Sequence, residues 1–475
     1  MSEKMIPDAS AARAENAQSA QAITHLLRRL HFYIGLFIGP FIFVAALTGT
    51  LYLLTPQLEN QLYAQQLFTT ASGEDRPLSQ QVASAIDHMG AEAHIIAVRP
   101  SPAAGETTRV MFHDAKVGKA ETHAVFIDPK TLEVRGELTT YGTSGSLPFR
   151  TLLDYLHRNL LLGEFGRNYS ELAASWLWIA ALGGVALWAM SRTPRRKAST
   201  QRVSRTARFL RQRHWHTTLG LVLLLGLVFF SATGLTWSNW AGSNISQMRA
   251  HFGWLTPAVN TQLNDAQHAM PADEHAEHHG DHTAMMAHHA EPQTLSPAQF
   301  DAVLAAARAA NIEAGKVEIR PAYRADKAWV VSEIDRRWPT QVDAVAINPH
   351  TLQVTDKIEF AHFPLLAKLT RWGVDAHMGI MFGLANQLVL AVFSSGLCLM
   401  VVLGYRMWWL RRPTMKQRAN PADTLIYGWR KLNPGGQFLL SVLVIALALS
   451  LPLMGISLLL FLLIDIVRWK RSLRA

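Results

Sequence analysis

The stretch FYIGLFIGPFIFVAALTGTLYLL, residues 32–54, contains no Asp, Glu, Lys or Arg. Three further stretches share this property: 172–190, 217–240 and 378–405. Each is near or above the roughly 20 residues that a helix needs to cross the hydrocarbon core of a bilayer. Helices in soluble cores are shorter and would not recur at this length. The sequence therefore predicts an integral membrane protein that crosses the bilayer at least four times.

Composition supports a membrane protein, and the cysteine content limits the kinds of redox centre that the chain could hold. Of the 475 residues, 49% are hydrophobic and 17% charged, and the formal net charge is +10. The first apolar stretch is too long for a signal-peptide core and no small-residue cleavage site follows it, which favours an anchor. The single cysteine, Cys398, lies inside the fourth stretch. One cysteine excludes disulfides, cysteine-ligated iron–sulfur clusters and covalent c-type haem attachment within the chain.

The basic residues predict which parts of the chain lie on the cytoplasmic side of the membrane. They cluster before the first stretch, between the second and third, and after the fourth: Arg28, Arg29; Arg192, Arg195, Arg196, Lys197, Arg202, Arg205, Arg208, Arg211, Arg213; Arg406, Arg411, Arg412, Lys416, Arg418. Beside spans, such clusters indicate the cytoplasmic face rather than nucleic-acid binding. The long segments 55–168 and 241–376 then lie outside, in the periplasm of a bacterium, and no nucleic-acid partner is expected.

The chain repeats itself at two offsets. His31 and Gly35 recur as His216 and Gly220, and Thr48-Gly49 recurs as Thr233-Gly234, at one common offset. Residues 126–134 (FIDPKTLEV) match 346–354 (AINPHTLQV), and His157 and Gly163 match His377 and Gly383, at a second and larger common offset. The difference between the two offsets locates an insertion at about 260–292. We therefore expect a duplicated unit of span, outer α+β segment, His-bearing helix and span, related by a pseudo-two-fold axis along the membrane normal.

Each outer segment is expected to hold one helix and three or four strands, and the two segments to pack as a pair. A fifth apolar stretch, 438–464, contains Pro452 and is flanked by basic residues on both sides. It predicts two short helices separated at the proline, with the C-terminus back in the cytoplasm.

His31 and His216 lie at the cytoplasmic starts of the first and third spans, where a neutral imidazole from each helix could ligate haem iron. Gly35 and Gly220 are one turn further on the same face, and their lack of side chains would leave room for a porphyrin. Gly49 and Gly234 each follow their histidine by about five turns of a straight helix, which predicts that they continue the same face. Close span packing and headgroup contact are the alternative explanations of these glycines and histidines.

His157 and His377 form a second matched pair near the outer face and could ligate a second haem. His214 and His362 are neighbouring histidines that could take over these roles. The insertion is rich in histidine and methionine and could hold Cu, Ni, Zn or Fe loosely, although a solvated linker is equally compatible. Its candidate ligands are His275, His278, His279, His282, His288, His289, Met285 and Met286.

The motif around Arg29, His31 and Gly35, the T-G pairs, the FIDP outer motif and Leu156-His157-Arg-Asn-Leu160 resemble the PepSY-associated transmembrane family over residues 25–412. The resemblance implies a bacterial inner-membrane protein with two b-type haems held by His31, His157, His216 and His377 and with periplasmic PepSY domains. It also implies ferric-siderophore reduction, as in iron-regulated family members of the reductase type. The His/Met-rich insertion and the hydrophobic C-terminal extension depart from the family and leave the substrate open.

The expected architecture is a membrane all-α bundle of four core spans, two periplasmic α+β PepSY-like domains and a C-terminal hydrophobic hairpin. The expected segments are a cytoplasmic tail (1–27), first span (28–55), first PepSY-like domain (56–150), His-bearing helix and second span (151–191), basic loop (192–213), third span (214–240), linker with insertion (241–292), second PepSY-like domain (293–362), His-bearing segment and fourth span (363–412), cytoplasmic loop (413–437) and hairpin (438–475).

Three functions are compatible with this architecture. The first is a dihaem electron conduit that takes electrons from a cytoplasmic or quinol donor and reduces a periplasmic ferric siderophore or other metal chelate. The second is a haem-free scaffold or regulator that binds a periplasmic protein. The third is a cupric reductase that uses the His/Met-rich insertion. No nucleotide-binding motif is present, since no G-x-G-x-x-G opens a helix after a strand.

Overall fold

A computed structural model describes residues 9–118, 120–191, 205–263, 295–412 and 424–474. In chain order the helices are α1 (Ala9–Tyr33), α2 (Gly39–Tyr52), α3 (Thr55–Leu62), α4 (Ala64–Leu67), α5 (Leu78–Met89), α6 (Pro148–Asn159), α7 (Gly163–Met190), α8 (Arg205–Val222), α9 (Leu224–Thr236), α10 (Trp240–His251), α11 (Ala298–Ala309), α12 (Leu365–His377), α13 (Gly383–Arg411), α14 (Leu425–Arg430), α15 (Pro434–Ser450) and α16 (Pro452–Arg474). The strands are β1 (Ile95–Arg99), β2 (Thr108–Phe112), β3 (Glu121–Ile127), β4 (Val134–Tyr141), β5 (Val317–Arg320), β6 (Trp329–Glu333), β7 (Ala344–Ile347) and β8 (Val354–Ile358).

The chain divides into two compact units. The first, here the membrane unit, comprises Met1–Thr50, Leu156–Ile245 and Leu390–Ala475. The second, here the sheet unit, comprises Leu51–Tyr155 and Ser246–Val389. All eight strands belong to the sheet unit.

Within the described residues, four helical segments are long and apolar enough to cross a bilayer: Gln18–Tyr52, Gly163–Met190, Gly383–Arg411 and Pro452–Leu473. The first joins α1 and α2 through a π-helical segment, Ile34–Ile38. The expected third span, 214–240, is instead the pair α8 and α9, which bends by 62° at Leu223. Apolar composition predicts burial in lipid but not straightness, so the bend could not be read from the stretch itself.

The bend between α8 and α9 lies in a closely packed part of the membrane unit. A Cβ on Gly226 would overlap the ring of Phe393, and one on Gly396 would lie 2.7 Å from Cδ1 of Leu223. Helices in lipid associate through such close contacts between small and large side chains, because lipid offers no hydrophobic driving force between them. The two helices on either side of Leu223 therefore lie directly against α13.

The C-terminal helices pack on α1 through a buried carboxylate. Asp465, fully buried, accepts hydrogen bonds from the Tyr33 hydroxyl (2.7 Å) and from the backbone N–H of Ile426 (3.0 Å). Arg468 donates to the Tyr33 oxygen at 3.1 Å. The break between α15 and α16 lies at Leu451 and Pro452. The second helix is longer than the sequence pattern indicated: α16 continues through basic residues to Arg474 and is long enough to span.

The strands of the sheet unit form one antiparallel sheet in the order β4-β3-β2-β1-β5-β6-β7-β8. Helices α5 and α11 contribute Val82, Phe300 and Val303 to a core formed with Val110, Val331 and other inward-facing strand residues. The register shifts at Phe126/Ile127 in β3 and again at Ala346/Ile347 in β7. Both shifts precede related turns, at Asp128-Pro129 and Asn348-Pro349.

The segments 56–150 and 293–362 each contribute four strands, and the expected pair of domains shares a single sheet. Strands β1 and β5 meet at its centre, where Val98 is paired with Ile319. Next to this pair, Glu318 accepts hydrogen bonds from Arg99 (2.7 Å) and Arg320 (2.6 Å). Pairing the two strands satisfies backbone groups that separate domains would leave at exposed edges.

Candidate functional site

The histidines His31 and His216 meet inside the membrane unit. Their ring centroids are 6.2 Å apart and the ring planes lie at 85° to each other. His31 comes from the last turns of α1 and His216 from α8. The sequence repeat paired these two residues, and in the structure they are neighbours.

The hydrogen bonds of His216 leave one ring nitrogen free for a ligand. Its Nδ1 lies 3.0 Å from the carbonyl oxygen of Met400, which can only accept, so Nδ1 carries the proton and Nε2 has the lone pair. A carbonyl partner on the other nitrogen is the arrangement that usually orients a metal-ligating histidine. The Nδ1 atom of His31 is buried without a hydrogen bond of ordinary geometry, with the backbone of Ala180 beside the ring. Buried polar atoms are rarely left in this condition, which makes the His31 ring a candidate ligand for a bound group.

Two glycines from other helices flank the rings. A Cβ on Gly184 of α7 would lie 3.3 Å from Cε1 of His31, and one on Gly404 of α13 would lie 3.9 Å from Cε1 of His216. Gly184 and Gly404 are related by the larger repeat offset, the one that also relates the outer motifs and the pair His157 and His377. Gly184 and Gly404 were not singled out from the sequence, because the glycines that were paired with the histidines lie on the same helices as the histidines. Extending the comparison at the larger offset into the spans would have found them.

The glycines on the histidine helices have other surroundings. Gly35 is exposed, and a Cβ there would meet nothing within 4 Å. A Cβ on Gly220 would lie 3.3 Å from the Met400 side chain. The expectation that Gly49 and Gly234 continue the faces of His31 and His216 stays a prediction, because both helices are interrupted between the histidine and its glycine. It assumed straight helices, whereas five π-helical residues interrupt α1–α2 and a 62° bend separates α8 from α9.

Gly49 lies against His157. A Cβ on Gly49 would be 3.1 Å from Cε1 of this ring, and Nδ1 of His157 is 3.1 Å from the hydroxyl of Thr48. The Thr48 hydroxyl donates to the carbonyl of Val44 (2.8 Å), so its oxygen accepts from Nδ1 and the Nε2 lone pair of His157 is left. Burial lowers the pKa of His157 to about 4, which keeps the ring neutral at physiological pH. Thr48 thus has a hydrogen-bonding role that the sequence did not reveal.

The corner between α6 and α7 fixes the position of His157. Tyr169 donates a short hydrogen bond to the His157 carbonyl, and Ser170 donates to the carbonyl of Arg158 at 2.7 Å. A Cβ on Gly166 would overlap the carbonyl oxygen of Asn159, so the close approach of the two helices requires glycine there. The histidine therefore projects from a rigid corner.

His377 belongs to the sheet unit, at the last residue of α12. Its helix end is held by Asp375, which is fully buried and forms an ion pair with Arg336 at 2.5 Å, and by Asn386, which donates to the Ala376 carbonyl at 2.9 Å. His377 is partly buried. Like His157, it occupies a fixed position directly before a long apolar helix.

The remaining histidine candidates lie elsewhere. His214 and His362 are exposed. The His/Met-rich residues His275, His278, His279, His282, His288, His289, Met285 and Met286 lie outside the described residues. In the described part of the chain, no three His, Cys, Asp or Glu side chains are arranged to hold a metal ion.

A haem iron needs only two protein ligands, and the His31/His216 pair fits it. Imidazole nitrogens lie about 2 Å from a bound first-row metal ion and the ring centroid about 1 Å further back, so two such rings on one ion have centroids about 6 Å apart. The observed 6.2 Å agrees with this separation. The buried Nδ1 of His31, the Nδ1 bond of His216 and the glycines beside both rings are further features of such a site.

Apolar helices long enough to cross a bilayer, together with an antiparallel α+β unit, define a multi-pass membrane protein with a folded domain attached. The family model of the PepSY-associated TM region matches residues 28–411, and the chain belongs to this family. The matched region contains all four paired histidines, whereas α14, α15 and α16 lie beyond it. Comparison with curated proteins gives no match.

Proposed function

We propose that the protein is a transmembrane electron conduit with a b-type haem held between His31 and His216. A bound haem would supply reversible one-electron transfer. The observation that carries the proposal is the convergence of these two rings at 6.2 Å from separate helices. Met400 fixes the tautomer of His216, and Gly184 and Gly404 keep the space beside both rings free of side chains.

The proposal extends to a second haem near the opposite membrane face, with His157 and His377 as the ligands. Its support is the free Nε2 of His157, which Thr48 leaves unprotonated, and the repeat that relates the two histidines at the larger offset. In this proposal the chain is a duplicated unit in the inner membrane of a bacterium. The basic clusters lie in the cytoplasm and the sheet unit lies in the periplasm.

The proposed substrate is a periplasmic ferric chelate of the siderophore type, with a cytoplasmic or quinol donor on the other side. Hard oxygen ligands bind Fe(III) more tightly than Fe(II) because of its higher charge, so one-electron reduction weakens the chelate. Family membership supports the choice of substrate, and the basic clusters support the placing of donor and substrate on opposite sides of the membrane.

The spectrum of the purified protein tests the haem. We expect a reduced-minus-oxidised b-type spectrum and a pyridine haemochrome that gives two haems per chain. A His31→Ala/His216→Ala double variant should lose about half of this absorbance, and His157→Ala/His377→Ala the other half. The exposed His214→Ala is the matched control and should keep the full spectrum.

The outcomes distinguish the proposed function from its alternatives. A colourless protein from haem-supplied cells would contradict the conduit and favour the scaffold. A full spectrum in the His31/His216 double variant would refute this ligand assignment. With haem present, proteoliposomes given a reduced quinol should reduce an external ferric siderophore. Preferential reduction of cupric ions, lost when residues 264–294 are deleted, would make copper the substrate.

A further inference from the structure

Five large apolar side chains of the sheet unit are exposed along α12 and beside its C-terminal end. They are Trp338 (56% exposed), Leu365 (64%), Leu366 (40%), Leu369 (50%) and Phe382 (56%), and together they are called the interfacial face. The opposite side of α12 is buried in the unit through Ala367, Val374 and Asp375. The helix is therefore amphipathic, and its leucine side is directed away from the protein core.

Aromatic contacts join these side chains into one surface. Trp372 follows Leu369 by one helical turn and Leu365 by two, so it continues their stripe on the helix. Its ring centroid is 5.7 Å from that of Trp338, and Trp338 is 6.1 Å from Phe382. Large contiguous apolar surfaces of this kind are uncommon on the water-exposed side of a protein and usually mark a contact with a partner or a membrane.

The loop that carries Trp338 is held in place rather than free. The backbone N–H of Trp338 donates to the Met381 carbonyl at 2.9 Å, and the indole Nε1 of Trp372 donates to the Thr340 hydroxyl at 3.2 Å. Arg336, two residues before Trp338, is paired with the fully buried Asp375. An exposed tryptophan fixed by this many contacts is positioned to meet a surface.

Continuity with a membrane span identifies that surface. Phe382 is followed immediately by Gly383, the first residue of the candidate span Gly383–Arg411, and Leu384 and Leu388 on the first turns of the span are also exposed. Lipid that surrounds this end of the span therefore adjoins Phe382. Trp and Phe beside a span, with a leucine-rich amphipathic helix, are the side chains that occupy the boundary between headgroups and acyl chains.

The start of α7 has the same character. Gly163 has a φ of 59° and Gly383 a φ of 57°, a left-handed conformation that glycine adopts without strain. The residue before each glycine is large, apolar and exposed: Leu162 (60%) and Phe382 (56%). In both places a left-handed turn joins an amphipathic helix to a span, and an apolar side chain projects from the turn.

We propose that the interfacial face is embedded in the lipid bilayer, so that α12 and the Trp338 loop anchor the sheet unit on the membrane surface. The partner is lipid at the headgroup–acyl boundary and not a second protein. The inference does not depend on haem or on electron transfer.

Site-directed spin labelling tests this in proteoliposomes of phosphatidylethanolamine and phosphatidylglycerol. Cys398 is the only cysteine in the sequence, so a Cys398→Ser background accepts one label at a time. Labels at Trp338→Cys and Leu369→Cys should be severalfold more accessible to molecular oxygen than to a water-soluble nickel chelate. The expected depth is about 5–10 Å below the headgroups, as for other interfacial helices.

Leu352→Cys is the matched control, because Leu352 is also a large apolar residue of the sheet unit with 41% exposure but lies in the turn between β7 and β8. Its label should favour the nickel chelate. Equal nickel accessibility at 338, 369 and 352 would overturn the proposal, and so would protection of 338 and 369 from both reagents, which would indicate a protein partner. The two labelled positions are independent, so misfolding of the Trp338→Cys protein leaves Leu369→Cys to decide.

Discussion

At the scale of single residues, the contact between Gly184 and His31 gives the sharpest test of the proposed haem site. A methyl group at position 184 would lie 3.3 Å from Cε1 of His31, closer than an ordinary van der Waals contact, so Gly184→Ala should displace the ring. We expect a shifted haem spectrum or reduced haem content, measured by redox difference spectroscopy.

Gly183→Ala is the control for this prediction. It adds the same methyl group to the same helix, but in a position where nothing lies within 4 Å. Both changes should raise helix propensity by about 1 kcal/mol in an isolated helix, so the difference between the variants isolates the contact with His31. Identical spectra for the two variants would show that Gly184 does not define the site.

The residues of the site were only partly predictable from the sequence. The repeat at the smaller offset identified His31 and His216 as partners, because two matched residues at matched helix starts need no knowledge of helix geometry. The role of Thr48 could not be derived, since the hydrogen bond to His157 joins residues 109 positions apart. The same holds for Met400, whose backbone carbonyl carries no sequence signal.

At the scale of elements, the packing of α9 on α13 predicts a strong coupling between two positions. Gly226→Ala would drive a methyl group into the Phe393 ring, and overpacking of this kind typically costs about 1–3 kcal/mol. Phe393→Leu removes the ring that it would strike. The double variant should therefore be more stable than the sum of the single changes by about 1–3 kcal/mol, measured by unfolding in detergent. Simple additivity would refute the close contact.

The buried carboxylate of α16 predicts that the C-terminal helices depend on one residue. Asp465→Leu leaves the Tyr33 hydroxyl and the backbone N–H of Ile426 without their shared acceptor, and each buried donor left unpaired costs about 1–3 kcal/mol. We expect proteolytic release of α14–α16 under conditions in which the unmodified protein resists. The control is Ser457→Ala, which removes one hydrogen bond from Trp176 and should cost about 1 kcal/mol. Equal resistance of the two variants would contradict this role of Asp465.

The existence of most elements followed from the sequence, while their interruptions did not. Apolar length indicated the spans, and the three or four strands expected in each outer segment are the four strands β1 to β4 and the four strands β5 to β8. The apolar patterns of the two stretches carry no signal for the π-helical segment Ile34–Ile38 or for the bend at Leu223, because hydrophobicity reports burial and not helix geometry. Because of these two interruptions, a count of whole turns in a straight helix does not fix the faces on which Gly49 and Gly234 lie.

At the scale of the whole molecule, the central pairing of β1 and β5 predicts a pH dependence. Burial alone would raise the pKa of Glu318, but the positive charges of Arg320 and Arg99 outweigh it and lower the pKa to about 2. The folded state therefore favours the ionised carboxylate. Its stabilisation is fully present above the ordinary value near 4.5 and is lost as the pH falls towards 2, with a magnitude of about 3 kcal/mol.

Glu318→Gln tests this contribution in the intact protein. Its thermal stability in detergent should be lower than that of the unmodified protein at pH 7, and the gap should narrow steadily below pH 4.5. The comparison variant is Asp326→Asn, which removes an exposed ion pair with Arg324 that water screens, so no measurable change is expected. A gap that stays constant with pH would mean that Glu318 is not ionised in the folded state.

The two outer segments were expected to pack as a pair, and they do so by sharing one eight-stranded sheet, a form of pairing that the sequence did not specify. Alternating patterns identify strands and their faces, but they do not say which edge pairs with which, because that choice depends on residues far apart in the chain. The ion pair between Arg99 and Glu318, whose positions differ by 219, is of this long-range kind.

The central position of β1 has a consequence for biosynthesis. Its second neighbour, β5, begins at Val317, so the ribosome must first complete β2 to β4, α6 to α11 and the insertion. Until then the nascent four-stranded sheet ends in an unpaired β1 edge, to which any exposed strand can add. The β5 strand of another chain that is translated nearby can then pair with this β1 edge in place of the β5 strand of the same chain. High expression should therefore promote strand-exchanged dimers, and a holdase chaperone that shields β1 should suppress them.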